Sequence, residues 1–277
     1  MTPDDYCRQR VAATGSSLYY SVLFIEPEQR QAITALHALR REFEDTLNAT
    51  SDPHLARTKL AWWRGEVAAL YAGQPSHPAT QALAHAILRF PLPREQMLEL
   101  IDGMEMNIDT RSYPDFRALR LYCYRAGSIV SLLSAEILGY RDRHTLKYAH
   151  ELGLAFELTR IIRDVGKDVR HGRIYLPQEE LAQFGVDPAE LRQASHTDNF
   201  RRLMEFQIAR AEATYAQALA RLPGDDRKSQ RAGLVLAAID RALLKEIARD
   251  DCQVLHQRID LTPLRKFWLT SKTWIGT

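Results

Sequence analysis

Two aspartates near the end of a long predicted helix are the side chains best placed to do chemistry. Asp164 and Asp168 are four residues apart, so on a helix both carboxylates leave one face about one turn apart. Carboxylates at that spacing can bind Mg²⁺, which completes its shell with water and with phosphate oxygens of a ligand. Cations for the remaining phosphate charge lie close by: Arg163, Lys167, Arg170 and Arg173. The alternative interpretation is a solvated helix end with ordinary acid–base pairs.

A second acidic segment ends the first long predicted helix. Glu44 and Asn48 share one helix face, Asp45 lies beside them, and Arg41 precedes them by one turn. Asn48 brings only a neutral carbonyl oxygen. This segment is therefore the weaker half of a possible two-sided site.

The elements that must position these residues are helices. Apolar residues recur every three or four positions between prolines and glycines, which predicts a nearly all-α chain. The predicted helices are 27–48, 53–72, 78–90, 94–110, 115–138, 143–169, 197–222 and 227–251, with a short last helix after Pro263. Asp52 before Pro53 has the features of a helix cap. Because no linker or repeat interrupts the pattern, we expect one helical domain over residues 1–277.

The composition narrows the kinds of partner and the compartment. The formal net charge is +2, from 37 basic and 35 acidic residues spread along the chain, so nucleic acid is not an expected partner. Cys7, Cys123 and Cys252 lack the spacing of disulfide or zinc sites, which suits a reducing compartment. No apolar run approaches about 18 residues, and the first ten residues are polar. We therefore expect a cytoplasmic protein.

Several segments together carry a resemblance to a known family. They are residues 15–21, 57–64, 101–106, 122–125, 162–166 and 172–177, of which the last two are the most specific. From about residue 6 to residue 274, the chain resembles the squalene/phytoene synthase family. Within that family it is most similar to the bacterial presqualene diphosphate synthases of hopanoid biosynthesis.

The resemblance implies a helical bundle around a central apolar cavity, where two acidic helices bind Mg²⁺ and two prenyl diphosphates. One substrate would ionise to an allylic cation and the other would attack it head to head. Farnesyl diphosphate would give presqualene diphosphate or squalene, with NADPH where a reductive step follows. The implied metal ligands are Asp164, Asp168, Glu44 and Asp45. The implied catalytic residues are Tyr122, Tyr175 and Arg41, and the implied substrate-binding residues are Ser17, Tyr20, Arg163, Arg173, Glu157 and Arg160.

The chain departs from the family pattern around this expected site. Relatives usually carry acids at the positions of Asn48, Asn107 and Lys167, and Asp in place of Glu44. These changes should weaken binding of a divalent metal. Glu44 and Asn48 belong to the first acidic motif, which is therefore partly dismantled.

Other departures add charge to the same region. Arg40 and Arg160 replace neutral residues, whereas Glu157 and Asp240 bring acids where relatives have Gln and Tyr. Glu157 and Arg160 are three residues apart on one helix and can pair with each other. Such a pair would leave the affinity for metal low.

Two hypotheses for the function stay open. The chain is either an active prenyltransferase with a retuned site, binding diphosphate with less metal, or a catalytically weakened or non-catalytic relative. The second would bind a lipid, a diphosphate or a protein partner, as the complex I assembly factor of this fold does. The eroded first motif is the feature that bears on the choice.

Two aromatic segments have simple structural interpretations. Trp62 and Trp63 must point in different directions on a helix, which predicts one inward and one at a rim. The tail from Arg265 to Trp274 mixes basic and aromatic residues. It could make peripheral contact with the inner face of a membrane, but a packed terminal helix is the preferred interpretation.

Overall fold

The computed structural model describes residues 1–13, 15–50 and 52–277, and 74% of the chain is helical. The helices are α1 (Pro3–Val11), α2 (Ser17–Ser21), α3 (Pro27–Asn48), α4 (Pro53–Tyr71), α5 (Pro78–Arg89), α6 (Arg94–Asp109), α7 (Phe116–Cys123), α8 (Ile129–Leu138), α9 (His144–Arg170), α10 (Gln178–Phe184), α11 (Pro188–Arg192), α12 (Asp198–Arg221), α13 (Arg231–Arg249) and α14 (Pro263–Ile275). A π-helical turn (Tyr124–Ser128) joins α7 to α8, and a 3₁₀ turn (Gly224–Asp226) precedes α13. The predicted all-α class is confirmed.

The nine helices predicted from periodicity are present, with ends that differ by a few residues. The predicted helix 115–138 differs most, because the π turn divides it into two helices. Four short helices were not predicted: α1, α2, α10 and α11. With five to nine residues each, they are too short to show a clear 3.6-residue apolar period.

Helix starts follow the predicted capping chemistry. The Asp52 side chain accepts a hydrogen bond from the His54 backbone N–H at 2.8 Å, with Pro53 in the first turn. His77 caps α5 in the same way, since its Nδ1 accepts from the Ala79 N–H at 3.2 Å. Both side chains satisfy backbone donors that the first helical turn leaves unpaired.

Helix α9 is the central element of the fold. It packs against α8, α12, α13 and the π turn. The π turn approaches so closely that a Cβ on Gly153 would lie 2.4 Å from Ser128 Cα and 2.6 Å from the Gly127 carbonyl oxygen. Glycine at position 153 is therefore required for this helix contact.

The two aromatic segments lie as the simpler interpretations predict. Trp63 is buried and donates to the Thr46 hydroxyl at 3.0 Å, whereas Trp62 is half exposed at the rim. Helix α14 packs through Lys266 and Thr270 but exposes Trp268. The membrane contact stays a prediction. Within residues 1–13, 15–50 and 52–277, none of the helices combines the length and the apolar character needed to span a bilayer.

Candidate functional site

A cavity of about 430 Å³ lies between α3 and α9, with further walls from α2, α8 and α13. Its volume falls in the range of small-molecule sites, about 300–1,000 Å³. One end is apolar, with Ile33, Val130, Leu138 and Leu152 among its lining residues. The other end, between the C-terminal halves of α3 and α9, is lined by charged side chains. The predicted central cavity is therefore present, and it is amphipathic.

Asp164 and Asp168 both line the charged end, as their four-residue spacing on α9 predicts. Arg163 Nε and Nη2 donate to the two carboxylate oxygens of Asp164 at 2.8 and 2.7 Å. Burial acts to raise the pKa of Asp164, but Arg163 holds it below its usual value. For Asp168 the effect of burial prevails and its pKa is raised. The two carboxylates thus differ in acidity because only Asp164 has a bidentate partner.

Arg160 connects three groups on this wall. Its Nε donates to Glu157 Oε1 at 2.5 Å and its Nη1 to Asp168 Oδ2 at 3.1 Å. Its guanidinium also lies 4.9 Å from the centre of the Tyr175 ring. The pairing of Glu157 with Arg160 that the sequence suggested is present.

Glu157 also joins α9 to α3. It is 1% exposed, and its second oxygen accepts from Arg40 Nη2 at 3.0 Å. The same Arg40 nitrogen lies 2.9 Å from Glu44 Oε1. The charges of Arg160 and Arg40 lower the pKa of Glu157 against the effect of burial. An ionised carboxylate between two guanidiniums therefore connects the two helices that form the site.

The tyrosines predicted for the site form a hydrogen-bonded group. The Tyr175 hydroxyl donates to Asn107 Oδ1 at 2.9 Å and lies 3.5 Å from the Tyr122 hydroxyl, while Asn107 Nδ2 donates to Tyr122 at 3.4 Å. Burial raises the pKa of both phenols. They are neutral hydroxyls that offer hydrogen bonds and aromatic faces to the cavity.

Basic residues surround the mouth. Arg41, Lys167, Arg173 and Arg258 line the rim, and Arg173 Nη1 donates to Asn48 Oδ1 at 3.4 Å. Arg258 was missed by sequence reasoning. It follows α13 in a loop and approaches Asp164 to 3.7 Å, and no periodic pattern could have placed it there.

Two predicted site residues lie elsewhere. Asp45 does not line the cavity, since its carboxylate pairs with Arg10 Nη2 at 2.6 Å and with Arg41 Nε at 3.1 Å. Tyr20 is buried behind the wall, against Tyr19 and Phe267. Ser17, the other site residue predicted from the segment of Tyr20, does line the cavity.

Asp240 brings a titratable group to the opposite wall. It lines the cavity, and the Tyr215 hydroxyl lies 3.5 Å from its Oδ2. Burial raises its pKa from 3.8 to about 7, with the positive charge of Arg163 opposing the shift. The folded protein therefore holds this proton more tightly than the unfolded chain does.

That difference predicts how stability changes with pH. The contribution of Asp240 is complete below its ordinary pKa of 3.8 and is lost as pH rises through about 7. The melting temperature of Asp240→Asn, expressed relative to that of the wild type, should therefore be higher at about pH 8.5 than at about pH 5.5. Melting temperatures of both proteins at the two pH values test this. A difference that stays constant with pH would contradict the assignment.

Magnesium fits the charged end of the cavity poorly. Each of the carboxylates of Glu44, Asp164 and Asp168 is already paired with an arginine guanidinium, which a metal ion would have to displace. The described residues include no group of three or more His, Cys, Asp or Glu side chains that could hold a metal. The metal ligands implied by the resemblance are thus on the wall, apart from Asp45, but in ion pairs.

The cavity, charged at one end and apolar at the other, lies inside a helical bundle whose fold matches those of solved dehydrosqualene and squalene synthases. A model of the squalene/phytoene synthase family matches residues 11–265, and the chain belongs to that family. The members are prenyltransferases that join prenyl diphosphates head to head and typically use a divalent metal.

Known proteins agree with this assignment. The chain is 32% identical to a phytoene synthase of Arthrospira platensis, over 92% of this chain and 86% of that protein. It spans 65% of the chloroplastic phytoene synthase of Oncidium, to which it is 29% identical over 95% of its own length. A dehydrosqualene synthase crystallised with ligand shares the fold, with a TM-score of 0.86, 24% identity and 99% and 96% of the two chains covered. The squalene synthase HpnC of Alicyclobacillus acidocaldarius also shares the fold, with a TM-score of 0.77 and 24% identity, over 90% of this chain and 94% of that chain.

Proposed function

We propose that this protein condenses two prenyl diphosphates head to head, with farnesyl diphosphate as its substrate. The observation that carries the proposal is the amphipathic cavity, whose apolar end suits a prenyl chain and whose cationic end suits a diphosphate. Family membership supports the reaction class. The relatives are named phytoene, dehydrosqualene and squalene synthases, so the length of the substrate chain belongs to the proposal.

The residues of the charged end have distinct roles in this proposal. Arg163 and Arg160 stabilise the leaving diphosphate as the C–O bond breaks and its electron pair moves to oxygen. Neutral Tyr122 and Tyr175 border the reacting carbons and present aromatic faces to the allylic cation. The apolar walls keep water from that cation until the double bond of the second substrate attacks it. The cationic adduct then loses a proton to the released diphosphate.

Product analysis tests the proposal. The purified protein is incubated with farnesyl diphosphate or geranylgeranyl diphosphate, with Mg²⁺, with and without NADPH. We expect presqualene diphosphate without reductant and squalene where NADPH is used. A phytoene-type product from the longer substrate would correct the chain length and keep the reaction class. No condensed product from either substrate would reject the prenyltransferase function.

A second candidate function is binding without catalysis. The arginine pairing of Glu44, Asp164 and Asp168 favours it, because a wall without an available metal site can hold a diphosphate or a prenyl lipid while turning neither over. The absence of product together with a rise in melting temperature on adding farnesyl diphosphate would support this candidate. A protein that neither reacts nor is stabilised would leave a protein partner as the remaining ligand class.

A further inference from the structure

The basic residues of the cavity outnumber its acids. Seven arginines and lysines line it: Arg40, Arg41, Arg160, Arg163, Lys167, Arg173 and Arg258. Five carboxylates face them: Glu44, Glu157, Asp164, Asp168 and Asp240. With every acid ionised the formal charge of the wall is +2. A surplus of positive charge attracts an anion, whereas a site for several magnesium ions needs a surplus of carboxylates.

Two guanidinium groups also have nitrogens without a partner. Arg40 Nε and Arg160 Nη2 are buried, and neither has a hydrogen-bond partner among residues 1–13, 15–50 and 52–277. Buried donors are paired in nearly all folded proteins, and both residues line the cavity. Each side chain therefore retains an unsatisfied donor beside the cavity in which an anion with several acceptor oxygens can bind.

The remaining nitrogens of these two arginines are held in fixed positions. Glu157 accepts from both, Glu44 lies against Arg40, and Asp168 accepts from Arg160. The carboxylates therefore fix the orientation of the guanidiniums. Positioning of this kind lowers the entropic penalty of forming hydrogen bonds to a ligand.

The geometry points to a diphosphate that is bound directly by Arg40 and Arg160, with the basic rim contributing, and without a requirement for divalent metal. This inference rests on the proposed function for the nature of the ligand. It assigns to two arginines the neutralising charge that relatives typically obtain from metal ions. Lys167 and Arg173 at the rim extend the positive field along the path into the cavity.

Calorimetric titration with inorganic pyrophosphate, in Mg²⁺ and in EDTA, tests the inference. We expect the wild type to bind with similar affinity in both buffers. Arg160→Asn should bind at least about tenfold more weakly in EDTA, as loss of charge-assisted hydrogen bonds implies. Arg241→Gln is the matched control, because Arg241 pairs with Glu212 and does not line the cavity. Its affinity should not change.

Binding that appears only in Mg²⁺ would overturn the inference, as would an Arg160→Asn variant with wild-type affinity in EDTA. The comparison of buffers needs no variant, so it stands if Arg160→Asn fails to fold. The outcomes are separable from those of product analysis. Condensation with metal-dependent binding would retain the proposed reaction and reject this inference, whereas metal-free binding without product would do the reverse.

Discussion

Replacing Glu157 with alanine is expected to lower the free energy of unfolding by about 3 kcal/mol. Glu157 is fully buried between Arg160 and Arg40, so its removal leaves two guanidiniums with less compensation in a low-dielectric setting. Breaking a buried ion pair from one side typically destabilises by about 3–5 kcal/mol. We expect the lower value because Asp168 and Glu44 still contact the two arginines. Urea unfolding followed by circular dichroism measures the change.

Glu44→Ala is the matched control for this experiment. Glu44 contacts the same Arg40 nitrogen, but its side chain is 27% exposed, so its removal should change stability by no more than about 1 kcal/mol. Equal effects of the two substitutions would show that Glu157 is not the buried link between α3 and α9.

Gly153→Ala is expected to destabilise the protein by about 3 kcal/mol, the upper end of the usual effect of overpacking. The added methyl group would lie 2.4 Å from Ser128 Cα and 2.6 Å from the Gly127 carbonyl oxygen. Both atoms belong to backbone, so no side-chain rotation can relieve the contact. The π turn and α9 would have to separate, which loosens the wall that carries Tyr122 and Glu157. Thermal and urea unfolding measure the loss.

Gly65→Ala provides the contrast. Gly65 lies on the exposed face of α4, and no atom beyond its own helix lies within 4 Å of the Cβ that alanine would add. Alanine should therefore stabilise this helix by up to about 1 kcal/mol through its higher helix propensity. A Gly153→Ala variant as stable as Gly65→Ala would mean that the helix contact tolerates expansion.

Much of the fold could be predicted because long helices carry local information. The period of apolar residues is readable along the chain, as the bounds of α3 show, and so is a capping residue such as Asp52 at the start of α4. The position of Asp164 and Asp168 on one face follows from their spacing alone. The pairing of Glu157 with Arg160 is also local, since the two residues share a helix.

The rest of the site depends on tertiary packing. The contact of Arg40 with Glu157 joins residues 117 positions apart, and no sequence spacing encodes it. The sequence predicts Asp45 as part of the site, but its carboxylate forms an ion pair with Arg10 of the neighbouring helix α1. Arg258 comes from an irregular loop. The position of each of these residues depends on how distant parts of the chain pack together, and not on the sequence of its own segment.

The π turn between α7 and α8 has a consequence for the register of the cavity wall. Tyr122 and Ser131 both line the cavity, although nine residues of regular α-helix would place their side chains about 180° apart around the axis. A wide turn takes up an additional residue, and this shifts the angular phase of everything after it. The additional residue in the π turn therefore lets a nearly continuous helical stretch direct both the Tyr122 phenol and the Ser131 hydroxyl into the same cavity.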